Sequence, residues 1–301
     1  MPAWKRSAFP KGEAVVDGVL AGADRRHAVR THGPLAPLYV VLHFTQMGSV
    51  RSSVDVLNAR GFGYHVLVDR DGTVHQTAPF DRMVHHAGAS NWRGRKALNA
   101  FSVGVSLANH GPLRRAGGRW RTLEGQPIAD ADVVEGSHAN GDPLWAGIGW
   151  ERFPAPQVEA ALDVCASVAS AYPIRDVIRH DDVAVGRKLD TGPALDMTPF
   201  HALIADRSGE RLFRHRVVAP DGAELRSTHA AGGRGLGRLA RGEEVYVLSR
   251  AYAVNGTASR LGPWCLVSRD GLERSGFMRA RDLEALDPGL GGAGEVEEAV
   301  V

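Results

Sequence analysis

The hydrophobic pattern changes period along this chain, and each change marks an element. Tyr39-Val40-Val41-Leu42 is an unbroken apolar run that ends at His43, which predicts a buried strand over Leu38–His43 with a histidine at its tip, at a sheet edge. Val50, Val54 and Leu57 recur at i, i+4 and i+7, so a short helix follows, capped by Ser49 and closed by Gly61. Tyr64–Val68 and Thr73–Gln76 alternate across Asp71-Gly72 and predict a hairpin. Phe101–Leu107 reads as a central buried strand. Helical periodicity returns from Pro156-Gln157-Val158 through Ala161, Leu162, Cys165 and Val168 to Tyr172-Pro173, and Val177-Ile178 forms a short strand that presents His180.

The interruptions divide the chain. Residues 1–35, rich in Arg, Gly and Pro, read as an irregular leader. Residues 110–150 break the pattern with Gly117-Gly118, Gly125, Gly136 and Gly141 among Trp120, Pro127, Trp145 and Trp150, an insertion on the cleft side. Beyond Asp206 the texture is short strands between Gly-rich turns: Arg216-Val217-Val218, Ala223-Glu224-Leu225-Arg226, Glu244-Val245-Tyr246-Val247-Leu248, Trp264-Cys265-Leu266-Val267 and Ser275-Gly276-Phe277-Met278. Residues 210–286 therefore read as a small all-β barrel, and 287–301, with repeated Gly and Glu, as a disordered tail.

Composition narrows the class. At 301 residues, 44% hydrophobic and 23% charged, the chain suits two globular domains. A net charge of +2, with no basic block interleaved with aromatics, argues against a nucleic-acid partner. Cys165 and Cys265 fall in different regions, so no disulfide framework is expected. No run approaches the roughly 18 apolar residues of a membrane span, and Ala14–Leu20 is interrupted by Asp17 and Gly18. The expectation is cytoplasmic synthesis without a clear signal peptide and without membrane insertion. No feature speaks to oligomeric state.

The chemistry concentrates in Arg179-His180-Asp181-Asp182 and Gly186-Arg187-Lys188-Leu189-Asp190-Thr191-Gly192-Pro193, where a histidine, a lysine and an aspartate fall within eleven residues. With His43 they make two histidines and one carboxylate, a catalytic zinc set that leaves the fourth tetrahedral position open for water. Only four of the 36 basic residues are lysine, and Lys188 is one of them. A compact ammonium suits an oxyanion beside a metal better than a guanidinium fork does.

Five motifs then occur in a telling order over about residues 36–200. They are His43 after its β-run; Gly63-Tyr64-His65 leading into Asp69-Arg70-Asp71-Gly72-Thr73-Val74; His85-His86-Ala87-Gly88; Asn99-Ala100-Phe101-Ser102-Val103-Gly104-Val105; and His180 with Lys188 and Asp190. The series resembles the zinc N-acetylmuramoyl-L-alanine amidases, a superfamily of AmpD-type recycling enzymes, bacteriophage lysozyme-type amidases and animal peptidoglycan recognition proteins.

The resemblance implies an α/β domain over 36–205, a mixed central sheet flanked by helices. It implies that His43, His180 and Asp190 hold Zn2+, whose water attacks the lactyl amide between muramic acid and L-alanine, with peptidoglycan or a muropeptide as substrate. Lys188 would stabilise the oxyanion, and Tyr64 would act as hydrogen-bond donor or proton relay. His86, with Asn99 and Trp92, would contact substrate at the cleft rim. Ser106 stands where AmpD-type enzymes carry a glutamate general base, and the phage-type branch, which uses tyrosine, shares that departure. The insertion reads either as a wall gripping glycan or stem peptide through Trp120 and Trp145, or as a loop with its own small core. The C-terminal pattern is similar to bacterial SH3-like domains, which bind cell wall when attached to amidases. A peptidoglycan-binding protein without hydrolysis is the alternative, and the same chemistry serves phage endolysins and secreted antibacterial effectors. Reaching a cell wall would require lysis or specialised secretion.

Overall fold

The computed structural model describes residues 15–141, 149–207, 213–229, 233–252 and 261–286. Its central sheet is built from β1 (Tyr39–Phe44), β2 (Val66–Val68), β3 (Val74–Gln76), β4 (Ser102–Leu107) and a strand that precedes His180. Between β1 and β2 runs α1 (Val50–Arg60), where Ser49 Oγ accepts the Ser52 N–H and Gly61 closes the helix at φ 68°.

The cleft-side insertion is a sheet of its own. β5 (Pro112–Ala116), β6 (Arg119–Arg121), β7 (Pro127–Ile128), β8 (Val133–Glu135) and β9 (Gly149–Glu151) run in the order 7-6-5-9-8. Leu113, Trp120 and Val133 form its core, with Trp120 only 5% exposed, so Trp120 packs rather than grips. Trp145 lies outside the described residues.

Next come α2 (Ala155–Ala171), β10 (Asp176–Arg179) and the short α3 (His180–Val183). The central sheet runs 10-1-4-2-3, parallel through its first four strands and antiparallel at the last, so it is mixed, with β4 at its centre.

Period-two alternation gives the sheet two different faces. Val40, Leu42, Val66, Val68, Val103, Val105 and Leu107 pack under Ala160, Ala161, Val164, Cys165 and Val168 of α2 in the main core. The opposite face carries Tyr39, Val41 and His43 along β1, and Ser102, Gly104 and Ser106 along β4. The leader expected over 1–35 needs correction from Val15 onward. Val15–Val16 pairs with Val19–Leu20, Leu20 and Leu35 join the main core, and the Gln76 side chain binds the Leu20 N–H and the Gly18 carbonyl.

The C-terminal region is all β. β11 (Arg214–Val217), β12 (Ala223–Arg226), β13 (Gly235–Leu239), β14 (Glu244–Tyr252), β15 (Leu261–Ser268), β16 (Gly276–Arg279) and β17 (Leu283–Ala285) form one antiparallel sheet in the order 13-12-16-15-14-11-17. Val217, Leu225, Val245, Cys265 and Met278 make one cluster inside it. Leu248, Ala251, Leu266 and Phe277 belong instead to a cluster with Tyr39, Val41, Trp92, Leu98 and Ile178. The C-terminal sheet thus covers the lower part of the very face that bears His43. Both cysteines are buried and free. Among the described residues no helix is long and apolar enough to cross a membrane.

Candidate metal centre

Strand register brings the cluster together. His43 pairs opposite Ser106, and Leu42 opposite Arg179, so His180 leaves β10 directly beside His43. The Nδ1 of His43 lies 3.0 Å from the Nδ1 of His180 and 2.9 Å from Asp190 Oδ2, and His180 Nδ1 lies 2.7 Å from the same oxygen. All three side chains are buried, and among the described residues they are the one group of three His, Cys, Asp or Glu side chains arranged to hold a metal ion.

The partners behind the cluster fix where the protons are. His180 Nε2 is 3.1 Å from the Ala87 carbonyl, which only accepts, so Nε2 carries the hydrogen and Nδ1 presents a lone pair. His86 Nε2 faces the Ser102 carbonyl at 3.2 Å, which leaves His86 Nδ1 as an acceptor. His43 Nε2, 3.0 Å from that nitrogen, must then donate, and His43 Nδ1 also presents a lone pair. Two nitrogen lone pairs and a carboxylate oxygen converge with no proton between them. Such a set is repulsive until a cation occupies it, and it matches the ligand chemistry of zinc.

Electrostatics agree. Burial, then the neighbouring His180, pushes His43 down to about 3, so it stays neutral. Burial also drives His86 well below its ordinary value, followed by His43 and His65.

Tyr64 sets its ring 4.8 Å from that of His43. Burial and then the Asp190 carboxylate raise its hydroxyl pKa, with the Ser106 hydroxyl acting in the opposite sense. Lys188 is partly buried, its N–H bonded to the Ala184 carbonyl, and its ammonium adds to the depression of His43.

The three residues expected to meet substrate all have partners within the fold. His86 is not at the rim; it is 8% exposed and lies on the sheet behind His43, where a Cβ on Gly104 would come within 2.7 Å of its ring. Asn99 Oδ1 accepts the N–H groups of His86 and Ala87, at 3.0 and 2.7 Å, and so shapes that turn. Trp92 is 3% exposed and packs into the cluster shared with the C-terminal sheet. Packing and turn chemistry account for the contacts these three side chains make.

Several supporting residues escaped the sequence reading. His138, expected at the surface, is 4% exposed and sits 2.8 Å from Asp181 Oδ2. Asn140 Nδ2 donates to the Asp181 carbonyl at 2.7 Å, and the Asp181 N–H donates to the Asp190 carbonyl at 2.6 Å. Trp150 lies under Gly192, where a Cβ would fall 2.7 Å from the indole. The insertion therefore buttresses the loop from His180 to Gly192. Arg187 gives Nη2 to the carbonyls of Ala87 and Ala89, tying the His86 turn to the same loop. His110 and His201, also expected at the surface, pair with Glu151 and Glu273 at 3.0 and 2.8 Å. The only sequence signal for any of these was the adjacency of Asp181 to His180.

Residues 33–193 match the family described as N-acetylmuramoyl-L-alanine amidase. The chain is 30% identical over 148 residues to the 1,6-anhydro-N-acetylmuramyl-L-alanine amidase AmpD of Enterobacter cloacae, a match covering 48% of this chain and 59% of that protein. It is 25% identical over 163 residues to the amidase AmiD of Escherichia coli strain K12, covering 51% of this chain and 48% of the other. These matches span only about half to three fifths of the relatives' length. A selenomethionine AmpD crystal structure superposes with a TM-score of 0.42 at 22% identity, over 64% of this chain and 99% of that one. E. coli AmiD, solved with anhydro-N-acetylmuramic acid-L-Ala-D-gamma-Glu-L-Lys, also gives 0.42 at 22% identity, over 64% and 67%.

Proposed function

Because the chain belongs to the N-acetylmuramoyl-L-alanine amidase family, we propose that it hydrolyses the amide between N-acetylmuramic acid and the L-alanine of a peptidoglycan stem peptide, with zinc held by His43, His180 and Asp190. The observation that carries this reading is the convergence of two imidazole lone pairs and one carboxylate oxygen. Zinc in such a set supplies Lewis acidity and lowers the pKa of water to about 7.

The remaining roles fall to the chain's own side chains. Lys188 donates to the oxygen of the scissile carbonyl as it gains charge. Tyr64, whose pKa is raised, stays protonated at neutral pH, which favours a hydrogen-bond donor over a base. Ser106 stands on β4 where AmpD-type enzymes carry a glutamate, and the second reading, a peptidoglycan binder that does not cut, would follow if Tyr64 does not take over that role. His86 and Asn99 act behind the ligands, and residues 210–286 serve as an SH3-like wall-binding unit whose core is partly shared with the amidase region.

Mass spectrometry of muropeptides after incubation with the protein tests the proposal. The expected products are a peptide with a free L-alanine amino terminus and a peptide-free muramic saccharide, both lost on chelation. Asp190→Ala and His180→Ala should lose zinc and activity together, because two ligands hold the metal poorly. Stoichiometric zinc in either variant would overturn the ligand assignment, and intact muropeptides with zinc-loaded wild type would leave the binding reading.

A further inference from the structure

His180 and Asp190 ride on one loop, and that loop rests on the C-terminal sheet through polar and apolar contacts alike. In the turn between β15 and β16, Arg274 gives Nη1 to Asp182 Oδ1 at 2.8 Å. At the end of β14, the Tyr252 N–H donates to the Val185 carbonyl at 2.9 Å. The Arg187 guanidinium lies 6.0 Å from the centre of the Tyr252 ring, and its Nη2 also reaches the Ala87 carbonyl. That carbonyl is the one facing His180 Nε2. Val183 and Val185 are fully buried and pack in the cluster that holds Leu248, Leu266 and Phe277.

The loop shifts as one body because its two ends are joined. The Asp181 N–H donates to the Asp190 carbonyl at 2.6 Å, so the residue that follows His180 is tied to Asp190 itself. His43 is held differently, on β1 with β10 and β4 paired on either side of that strand. Metal affinity requires ligands kept within about 0.5 Å of their working places, so it depends on where the loop is seated against β1. The insertion fixes one side of that seat through His138 and Asn140, and the C-terminal sheet fixes the other.

We propose that Arg274 is a positioning residue for the metal centre, and that its pair with Asp182, together with the hydrogen bond from Tyr252 to Val185, links metal binding to the seating of the C-terminal sheet. Zinc then tightens the sheet, and displacement of the sheet weakens zinc by the same factor, because coupling between two sites is reciprocal. The inference rests on the ligand assignment proposed above and extends it. A partner that pulls on the C-terminal sheet alters the metal centre without touching it.

The test uses the full chain and two readouts, zinc affinity by competition with a chromophoric chelator and hydrogen exchange at the Tyr252 amide. Arg274→Met removes the charge while keeping an unbranched stem. Zinc affinity should fall about tenfold, as it does for other residues that orient a ligand from behind. Arg274→Lys should restore most of it, because the contact is a single donor on a single oxygen. In wild type, zinc should slow exchange at Tyr252 about tenfold, and Arg274→Met should shrink that protection. Met278→Ala controls for lost stability: Met278 lies in the inner cluster of the sheet, which contains no residue of the loop, so Tm should fall while zinc affinity stays. A folded Arg274→Met that binds zinc like wild type would overturn the proposal, as would Arg274→Lys no better than Arg274→Met, or Tyr252 exchange indifferent to zinc. So would Met278→Ala as weak in zinc as Arg274→Met, which would reduce the effect to stability. Wild type with no affinity for zinc would refute the ligand assignment and the proposal with it, a failure distinct from the loss of the linkage alone.

Discussion

The Nε2 of His43 lies 3.0 Å from the Nδ1 of His86, so one imidazole of the His43–His180–Asp190 cluster is oriented by another imidazole, which is in turn fixed by the Ser102 carbonyl. This relay decides which nitrogen of His43 turns toward Asp190. His86→Ala should therefore lower zinc affinity by about 10- to 100-fold, the usual effect of removing a residue that orients a ligand. Competition with a chromophoric chelator would measure it. Unchanged affinity would mean that packing alone holds His43. Gly104→Ala should act in the same direction, since its methyl group displaces the His86 ring.

His138 and Asp181 make a buried pair at 2.8 Å that joins the insertion to the metal loop without contributing a ligand. His138→Phe leaves the Asp181 carboxylate enclosed and unpaired, which typically costs about 3–5 kcal/mol. The measured outcomes should be a lower Tm and faster zinc release in the same variant. A lower Tm with unaltered zinc release would confine the insertion to a stabilising role.

Lys188→Arg keeps the charge but replaces a point donor with a planar fork. Zinc content should be retained while kcat falls at least about tenfold, and full loss of such a donor costs about 10²–10³. Tyr64→Phe should give a smaller loss in the same assay. Wild-type turnover by Lys188→Arg would move the oxyanion role to Tyr64 or the metal.

His65 is fully buried, and burial pushes its pKa down to about 4. Its Nδ1 accepts the Gly104 N–H and its Nε2 faces the Arg82 carbonyl, so the native state favours the neutral ring. An imidazole whose folded pKa is depressed costs stability as pH falls. The loss begins near the unfolded value of about 6.5 and is complete below about pH 4, reaching at most about 3 kcal/mol. Thermal unfolding across that window should show it, and His65→Gln should flatten the slope. A slope unchanged by His65→Gln would assign it to other groups.

A chain ending at Arg207 should not fold as wild type does. Leu248, Ala251, Leu266 and Phe277 cover Tyr39, Val41 and Ile178, and removing them uncovers apolar surface worth roughly 1.5–3 kcal/mol per large side chain. Asp182 also loses Arg274, 2.8 Å away, and Asp176 loses the Glu273 that braces Arg207. Calorimetry of the full chain should show one transition, and the shortened chain a Tm lower by at least about 10 °C. Two separable transitions would show that the halves fold independently.

The sequence displayed what local rules control. The cap at Ser49, the closing Gly61, the Asp71-Gly72 turn and the long helix behind Pro156 lie close to where periodicity placed them. His43, His180 and Asp190 could be picked out from a histidine ending an apolar run, a dense 180–190 segment and the family resemblance, and the structure adds that the strands before His43 and His180 run parallel side by side. The supporting shell was not legible, since His86, Asn99 and Trp92 read alike in sequence whether they face a ligand, a backbone turn or a core. What separates them is a tertiary fact in each case: the missing side chain at Gly104, the two N–H groups at Asn99 Oδ1, the C-terminal sheet over Trp92. His138 escaped because a lone histidine in a glycine-rich stretch carries no periodicity to read.

The sharing of one sheet face between the metal cluster and the C-terminal strands bears on how such a protein can evolve. Modules joined by a free tether can be exchanged by recombination at the tether, and each half arrives functional. Here an incoming module must also match Tyr39, Val41 and Trp92 in shape and supply main-chain partners for Asn91, whose side chain bonds both the N–H and the carbonyl of Arg250. Exchange at this seam therefore carries a penalty on the amidase-family half, and compensating substitutions on β1 and around Trp92 should accompany every successful transfer.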